Sequence, residues 1–389
     1  MPMGSRYRSV LKNSSARFER ELDPKMKKKP IIEYAMPHVR ELHAYTPGFQ
    51  PKESGWIKLN TNESPYSPSP AVEAAVKEAA AATMRLYPDP RSTAVREEVA
   101  KLHGLDASNV IVGNGSDDIL NLLTRAFSDF DRKAGWTFPS YSLYPVLSGI
   151  QNAATVEIPF DRLMELPLEA LLRSRAQILF FTSPNAPTGV GFSKESIRAL
   201  LEGFEGILVV DEAYADFAEE NVIELLAAYP QLVVTRTFSK AYAMAGVRLG
   251  YALGDPEVID ILDRVRDSYN VNRFSQAAGL AALRDQSYLK AIVGKVKRTR
   301  DYYRSELDGF GWFTYRSVSN FLFTEPRDAE GRVGPEVAVR LFEFLKENKI
   351  LVRYFPGHAL TESFLRISVG DEDQMLALSE TIKKWLKNA

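Results

Sequence analysis

Three strand-like runs end in polar residues that a packed core does not require. QILFFTSP (177–184) runs into Asn185, GILVVDE (206–212) carries Asp211 with Tyr214 close behind, and QLVVTRTFS (231–239) leads to Lys240. Alone, each has a structural reading. Asn185 suits a turn, Asp211 a helix cap, Tyr214 an amphipathic core tip and Lys240 an exposed strand end. Ligands of open α/β sheets sit beyond the carboxyl ends of the strands, so their recurrence along one sheet edge points to a small-molecule site. A fourth stretch, GNGSDDILNLLTRAF (113–127), places Gly115, Ser116 and Asp117 at the start of a strongly apolar helix. Free N–H groups at such an end bind phosphate, although Ser and Asp are also ordinary N-caps. The glycine spacing is not the GxGxxG of dinucleotide folds.

The elements that must carry these residues alternate along the chain. Residues 70–84 and 92–104 have helical spacing, the second with a Ser/Thr cap and a closing Gly. Short β-branched runs follow at 109–113, 136–139, 154–159, 177–184, 206–212, 231–237 and 248–254, separated by helical segments. This rhythm predicts an α/β fold, a mostly parallel sheet covered by helices on both faces. Beyond it, helical patterns at about 286–308, 334–347 and 371–387 flank strands at 320–325, 350–355 and 364–370, suggesting a smaller α+β domain. The 389 residues thus divide into a basic extension (1–30), an N-terminal arm (31–70), a large domain (71–280) and a small domain (281–389). The extension has no acidic residue before Glu19 and no apolar core of a secretory signal. It reads as a transit-like segment, a flexible extension, or sequence upstream of a start at Met26.

Composition removes other classes. With no cysteine, thiolate metal sites and thiol nucleophiles are excluded, and the four histidines lack the i,i+4 spacing of a helical zinc site. A net charge of −1 argues against a general nucleic-acid surface. No apolar run reaches the roughly 20 residues of a membrane helix, so a cytoplasmic protein is expected.

SPNAPTG, VVDEAYADF and TFSKAYAMAGVRLGY, in this order and spacing, resemble the fold-type I aminotransferases that use pyridoxal 5'-phosphate. LNTNESPYSPSP, RLYPDP, PSYSLYP and LRISVG bring the resemblance closer to the histidinol-phosphate branch, from about residue 31 to the C-terminus. It implies a seven-stranded sheet in an α/β/α sandwich. It further implies that Lys240 binds the cofactor aldehyde and moves the substrate proton, and that Asp211 pairs with the ring nitrogen. Asn185 and Tyr214 would bond the phenolic oxygen, and Tyr141 would stack on the ring. Gly115, Ser116, Asp117, Thr237, Ser239 and Arg248 would cradle the phosphate. Tyr87 would reach that phosphate from a partner subunit, implying a homodimer with shared sites. Arg366 and Arg353, with Tyr45 of the neighbouring arm, would take the anionic end of the substrate.

The resemblance favours transamination between L-histidinol phosphate and 2-oxoglutarate. An aromatic aminotransferase and a threonine-phosphate decarboxylase share the scaffold. A transcription regulator of this fold needs a helix-turn-helix domain, for which thirty residues before the match are too few. Ala186, where many relatives carry asparagine, and Asp118, where glutamate is common, depart from the pattern without touching an assigned group.

Overall fold

In the computed structural model, which describes residues 29–42, 49–80 and 82–388, the β-branched runs become strands of one sheet. After a two-residue strand β1 (Ile57–Lys58), the chain forms β2 (Val110–Gly113), β3 (Ala134–Phe138), β4 (Thr155–Pro159), β5 (Ile178–Thr182), β6 (Ile207–Asp211), β7 (Leu232–Thr237) and β8 (Gly250–Gly254). The last seven pair in the order β2-β8-β7-β6-β5-β3-β4. β8 alone runs antiparallel to both its neighbours, while the other pairs are parallel. Every residue of β5, β7 and β8 is buried, as strands covered on both faces require. Two apolar clusters, one on each face, bury Phe181, Val210 and Val234 on one side and Phe180, Val209 and Val233 on the other.

β8 closes tightly on the phosphate-type helix. A side chain at Gly250 would bring its Cβ within 2.4 Å of Ser116 N and 2.7 Å of Gly115 C, so glycine is what allows strand and helix start to touch. That start differs from a Ser/Asp cap. The N-cap is Gly115, at φ 90°, with no side-chain cap bond. Asp118 instead accepts from Asn114 N at 2.9 Å. Ser92 likewise does not cap its helix. It sits at φ 51°, and Asp89 accepts from Thr93 N at 2.7 Å, while Gly104 closes the helix in the left-handed region as expected. The helix predicted over 70–84 stops after Ala79 and is followed by a 3-10 turn at Ala82–Arg85. Only Val72 of the first segment is buried, so no apolar stripe carries it further.

The remaining strands, β9 (Phe313–Thr314), β10 (Phe321–Glu325), β11 (Ile350–Leu351), β12 (Arg353–Tyr354) and β13 (Leu365–Ser368), divide between two small sheets. β12-β13-β10-β9 is antiparallel throughout, and β11 pairs with β1. The predicted strand at 350–355 is thus two short strands in different sheets. The Gln286–Gly309, Pro335–Glu347 and Glu372–Asn388 helices accompany them. The described residues divide into two units, one ending at Leu42. In the first unit, Ile31–Tyr34 is a 3-10 turn and Pro37–Arg40 one helical turn, with Arg40 Nη2 donating to Glu33 O at 2.7 Å. Tyr45 lies outside the described residues.

Candidate active site

The carboxyl ends of β5, β6 and β7 open into two adjoining cavities of about 210 and 170 Å³. Thr61, Tyr141, Ala186, Tyr214 and Lys240 line both. The larger adds Ser116, Asp117, Asp211, Thr237, Ser239 and Arg248; the smaller adds Arg353 and Arg366. Residues separated by up to about 305 positions in the chain therefore meet at one place.

Lys240 Nζ donates to Thr61 O at 3.1 Å and lies 5.9 Å from the centre of the Tyr214 ring. Burial and then the Arg366 guanidinium push its pKa down from 10.5 to about 8, against the opposing pull of Glu63 and Asp117. A folded-state pKa below the unfolded one means that a protonated Lys240 opposes folding. The cost is present in full below pH 8 and disappears as pH rises from about 8 to 10.5. Lys240→Met should therefore stabilise the cofactor-free protein at pH 7 in chemical denaturation, with the advantage shrinking across that window. An advantage that grows above pH 8 would contradict the assignment.

Asp211 is buried at the end of β6. Its Oδ2 accepts from Tyr144 Oη at 2.9 Å, and its Oδ1 accepts from Thr235 Oγ1 and Ala213 N, both at 3.2 Å. Burial raises its pKa to about 6 despite these three donors. A cation beside it would reverse that effect.

In the same cavity as Asp211, Arg248 takes a left-handed backbone (φ 56°) and brings its guanidinium to the helix start. Nη2 lies 3.1 Å from Asp117 Oδ2, and Nη1 donates to Ser239 Oγ and Ala245 O, both at 3.3 Å. A Cβ on Gly115 would stand 2.6 Å from Arg248 Nη2, so glycine admits the guanidinium. Asp117 also accepts from Tyr141 Oη at 3.0 Å. With its carboxylate occupied, what Asp117 offers an anion is its backbone N–H. The cradle combines this helix start, the hydroxyls of Ser116, Thr237 and Ser239, and one guanidinium, which is the donor set of a phosphate site.

Arg353 and Arg366 face each other as direct partners across β12 and β13. Arg366 Nη2 donates to Asn60 O at 2.9 Å, and its guanidinium lies 5.4 and 5.3 Å from the rings of Phe321 and Phe355. The Arg353 guanidinium is 5.5 Å from Phe355.

One expected member stands apart. Asn185 is fully buried but does not line either cavity. Its Oδ1 accepts from Thr188 Oγ1 at 2.8 Å and Nδ2 donates to Pro139 O at 3.0 Å, the bonding of a turn residue. Tyr87, expected to act from a partner subunit, is 76% exposed, stacked on Tyr269 at 4.4 Å between centroids, and lines neither cavity of its own chain. Sequence reasoning assigned no role to Asn62 and Tyr144. Asn62 Nδ2 donates to Tyr214 Oη at 3.0 Å, and Ser368 Oγ locks Asn62 from the far end of the chain. Both residues lie inside quoted motifs, LNTNESPYSPSP and PSYSLYP, but their partners become visible only in three dimensions.

The fold and site define an α/β enzyme with a lysine, a buried carboxylate and a phosphate cradle around one cavity. The aminotransferase class I and II family matches residues 54–382, and the chain belongs to it. Among curated relatives, histidinol-phosphate aminotransferase of Syntrophotalea carbinolica is 43% identical over 87% of this chain and 95% of its own. That of Chromohalobacter salexigens is 44% identical over 89% and 97%. A crystal structure of histidinol-phosphate aminotransferase from Sinorhizobium meliloti in complex with pyridoxal-5'-phosphate superposes with a TM-score of 0.78. Its identity is 26%, covering 85% of this chain and 91% of that one.

Proposed function

We propose that the chain transfers the amino group of L-histidinol phosphate to 2-oxoglutarate, giving imidazole acetol phosphate and L-glutamate in histidine biosynthesis. The observation that carries the substrate is the Arg353–Arg366 pair. Like charges directly opposite on neighbouring strands are unfavourable, and two guanidiniums beside the lysine cavity suit a phosphate ester with up to two negative charges. An aromatic amino acid brings a single carboxylate to that end.

Pyridoxal phosphate fits the residues present. The hydroxyl and guanidinium cradle matches its phosphate, the buried Asp211 carboxylate its ring nitrogen, and Lys240 its aldehyde. When bound, it supplies a carbonyl for amines and a ring that withdraws electrons from the substrate's α-carbon. Lys240, its pKa lowered to about 8, has a neutral fraction near pH 7 that an ordinary lysine lacks, and its Nζ is the base placed to take the α-proton. Asn62 orients the Tyr214 hydroxyl toward the cavity, and Tyr141 covers its side wall. Asn185 completes the phenolic-oxygen pair if its amide turns from Pro139 O.

Arg366→Ala should lower kcat/KM for L-histidinol phosphate roughly ten- to a hundredfold, the loss expected for a charged hydrogen-bonding group. Turnover of L-histidinol phosphate is to be compared with that of L-phenylalanine. Preference for phenylalanine would overturn the substrate assignment, and CO₂ release from threonine phosphate would replace transamination with decarboxylation.

The proposed assembly is a homodimer, with residues 31–70 as an arm that brings Tyr45 to the partner, 71–280 holding the cofactor and 281–389 forming the small domain. Support comes from an exposed apolar group, Met84, Leu86, Tyr87 and Tyr269, outside the cavities. Tyr87→Ala and Lys240→Ala proteins, each impaired alone, should regain activity when unfolded and refolded together, because a mixed dimer holds one intact site. No regain would contradict shared sites. Among the described residues no helix is long and apolar enough to cross a membrane, and a cytoplasmic location is proposed with the biosynthetic role. Appearance of the activity in the membrane fraction alone would contradict it.

A further inference from the structure

Beneath the cavities, four hydroxyl and carboxyl groups form a chain with one consistent direction. An ionised Asp211 can only accept. Tyr144 Oη, 2.9 Å from Asp211 Oδ2, has a single proton and gives it to the carboxylate. Its other contact, Thr182 Oγ1 at 2.7 Å, must then donate to the tyrosine. Ser140 Oγ, 3.1 Å from Thr182 Oγ1, in turn donates to the threonine. Tyr144 is fully buried and Thr182 nearly so, and the protein supplies both partners of the tyrosine hydroxyl. Ser140 ends the chain at the wall of the cavity that holds Lys240 and Arg353. A proton on Asp211 Oδ2 would reverse every donor in the series.

The phenol is held in place by its ring. Tyr144 stacks on Phe180 at 4.9 Å and 12°, and meets Tyr141 edge-on at 5.7 Å. These contacts belong to the ring and not to the hydroxyl, so the two contributions can be separated by a Phe substitution.

We infer that Tyr144 is a positioning residue that keeps Asp211 ionised and aimed at the ring nitrogen of pyridoxal phosphate, and that the chain through Thr182 ties this charge to Ser140 in the substrate cavity. The inference rests on the cofactor reading above and adds to it a residue that acts through Asp211.

The test measures equilibrium binding of two cofactors to the full chain freed of cofactor. They are pyridoxal phosphate and its 1-deaza analogue, in which carbon replaces the ring nitrogen. Tyr144→Phe should weaken pyridoxal phosphate binding about ten- to a hundredfold, the range for removing a hydrogen bond to a charged group, and leave the analogue's affinity nearly unchanged. Equal affinity of wild type and variant for pyridoxal phosphate would overturn the inference. So would an equal loss for both cofactors, because that marks a packing defect. If Tyr144→Phe does not fold, Thr182→Val removes the next donor and should show a smaller loss of the same kind, confined to pyridoxal phosphate; no loss, or a loss for both, overturns it. A wild-type chain that binds neither cofactor would overturn the cofactor reading itself, a result distinguishable from failure of Tyr144 alone.

Discussion

Lys240→Ala will reduce amino transfer by roughly ten-thousandfold or more, because it removes both the amine that binds the cofactor and the base that moves the proton. The loss should be in kcat, with cofactor still held by the phosphate cradle, whose groups do not include Lys240. The fold should survive: among the described residues Lys240 Nζ has a single hydrogen-bond partner, Thr61 O, and its burial in charged form already opposes folding. Wild-type protein loaded with pyridoxal phosphate should be yellow, and the lysine-dependent visible band should be absent in the variant. A variant that keeps that band, or retains activity within tenfold of wild type, would show that another amine is used.

Asp211→Asn comes next in size. The substitution keeps the shape of the side chain and removes its charge, so kcat should fall roughly a hundred- to a thousandfold, as when other preorganised electrostatic groups are removed. Stability should move in the opposite sense. Burial raises the folded pKa of Asp211 from 3.8 to about 6, so below the unfolded value the protonated carboxyl carries no penalty. As pH rises from about 4 to 6, the unfolded chain releases this proton first and the folded protein loses stability relative to the variant. The gap should then remain constant to pH 7. Denaturation curves of the two cofactor-free proteins across this range measure it directly. A gap that narrows with rising pH would contradict the environment described for Asp211.

How much of this was legible from residues alone depends on the distance over which each part is specified. Period and composition place β5, β6 and β7 because their sequences are continuous apolar runs, and the ends of those runs expose Asp211 and Lys240. The reversed direction of β8 leaves no such mark, because a strand buried on both faces reads the same in either direction. The alternative of an ordinary Ser/Asp cap on the Ser116–Phe127 helix fails for a related reason. The deciding feature is Gly115, which must yield space to Arg248 from 133 residues further along. Asn185 marks the limit of motif reading: its position at a strand end is local, but its hydrogen bonds to Pro139 and Thr188 are set by the loop's conformation. Tyr144 and Asn62 were hidden because their partners, Asp211, Tyr214 and Ser368, come from distant segments. Arg353 and Arg366 were legible as charged strand residues, whereas their register, which makes them a pair, was not.

In the proposed reaction an amino group passes through one site built around Lys240. It is tested most directly by a single turnover of the pyridoxal phosphate-loaded protein with a stoichiometric amount of L-histidinol phosphate and no oxo acid. The visible band should disappear with release of imidazole acetol phosphate, and 2-oxoglutarate added afterwards should restore the band and yield one equivalent of L-glutamate. A band that persists in the presence of L-histidinol phosphate, or one that fades without return on adding 2-oxoglutarate, would contradict it.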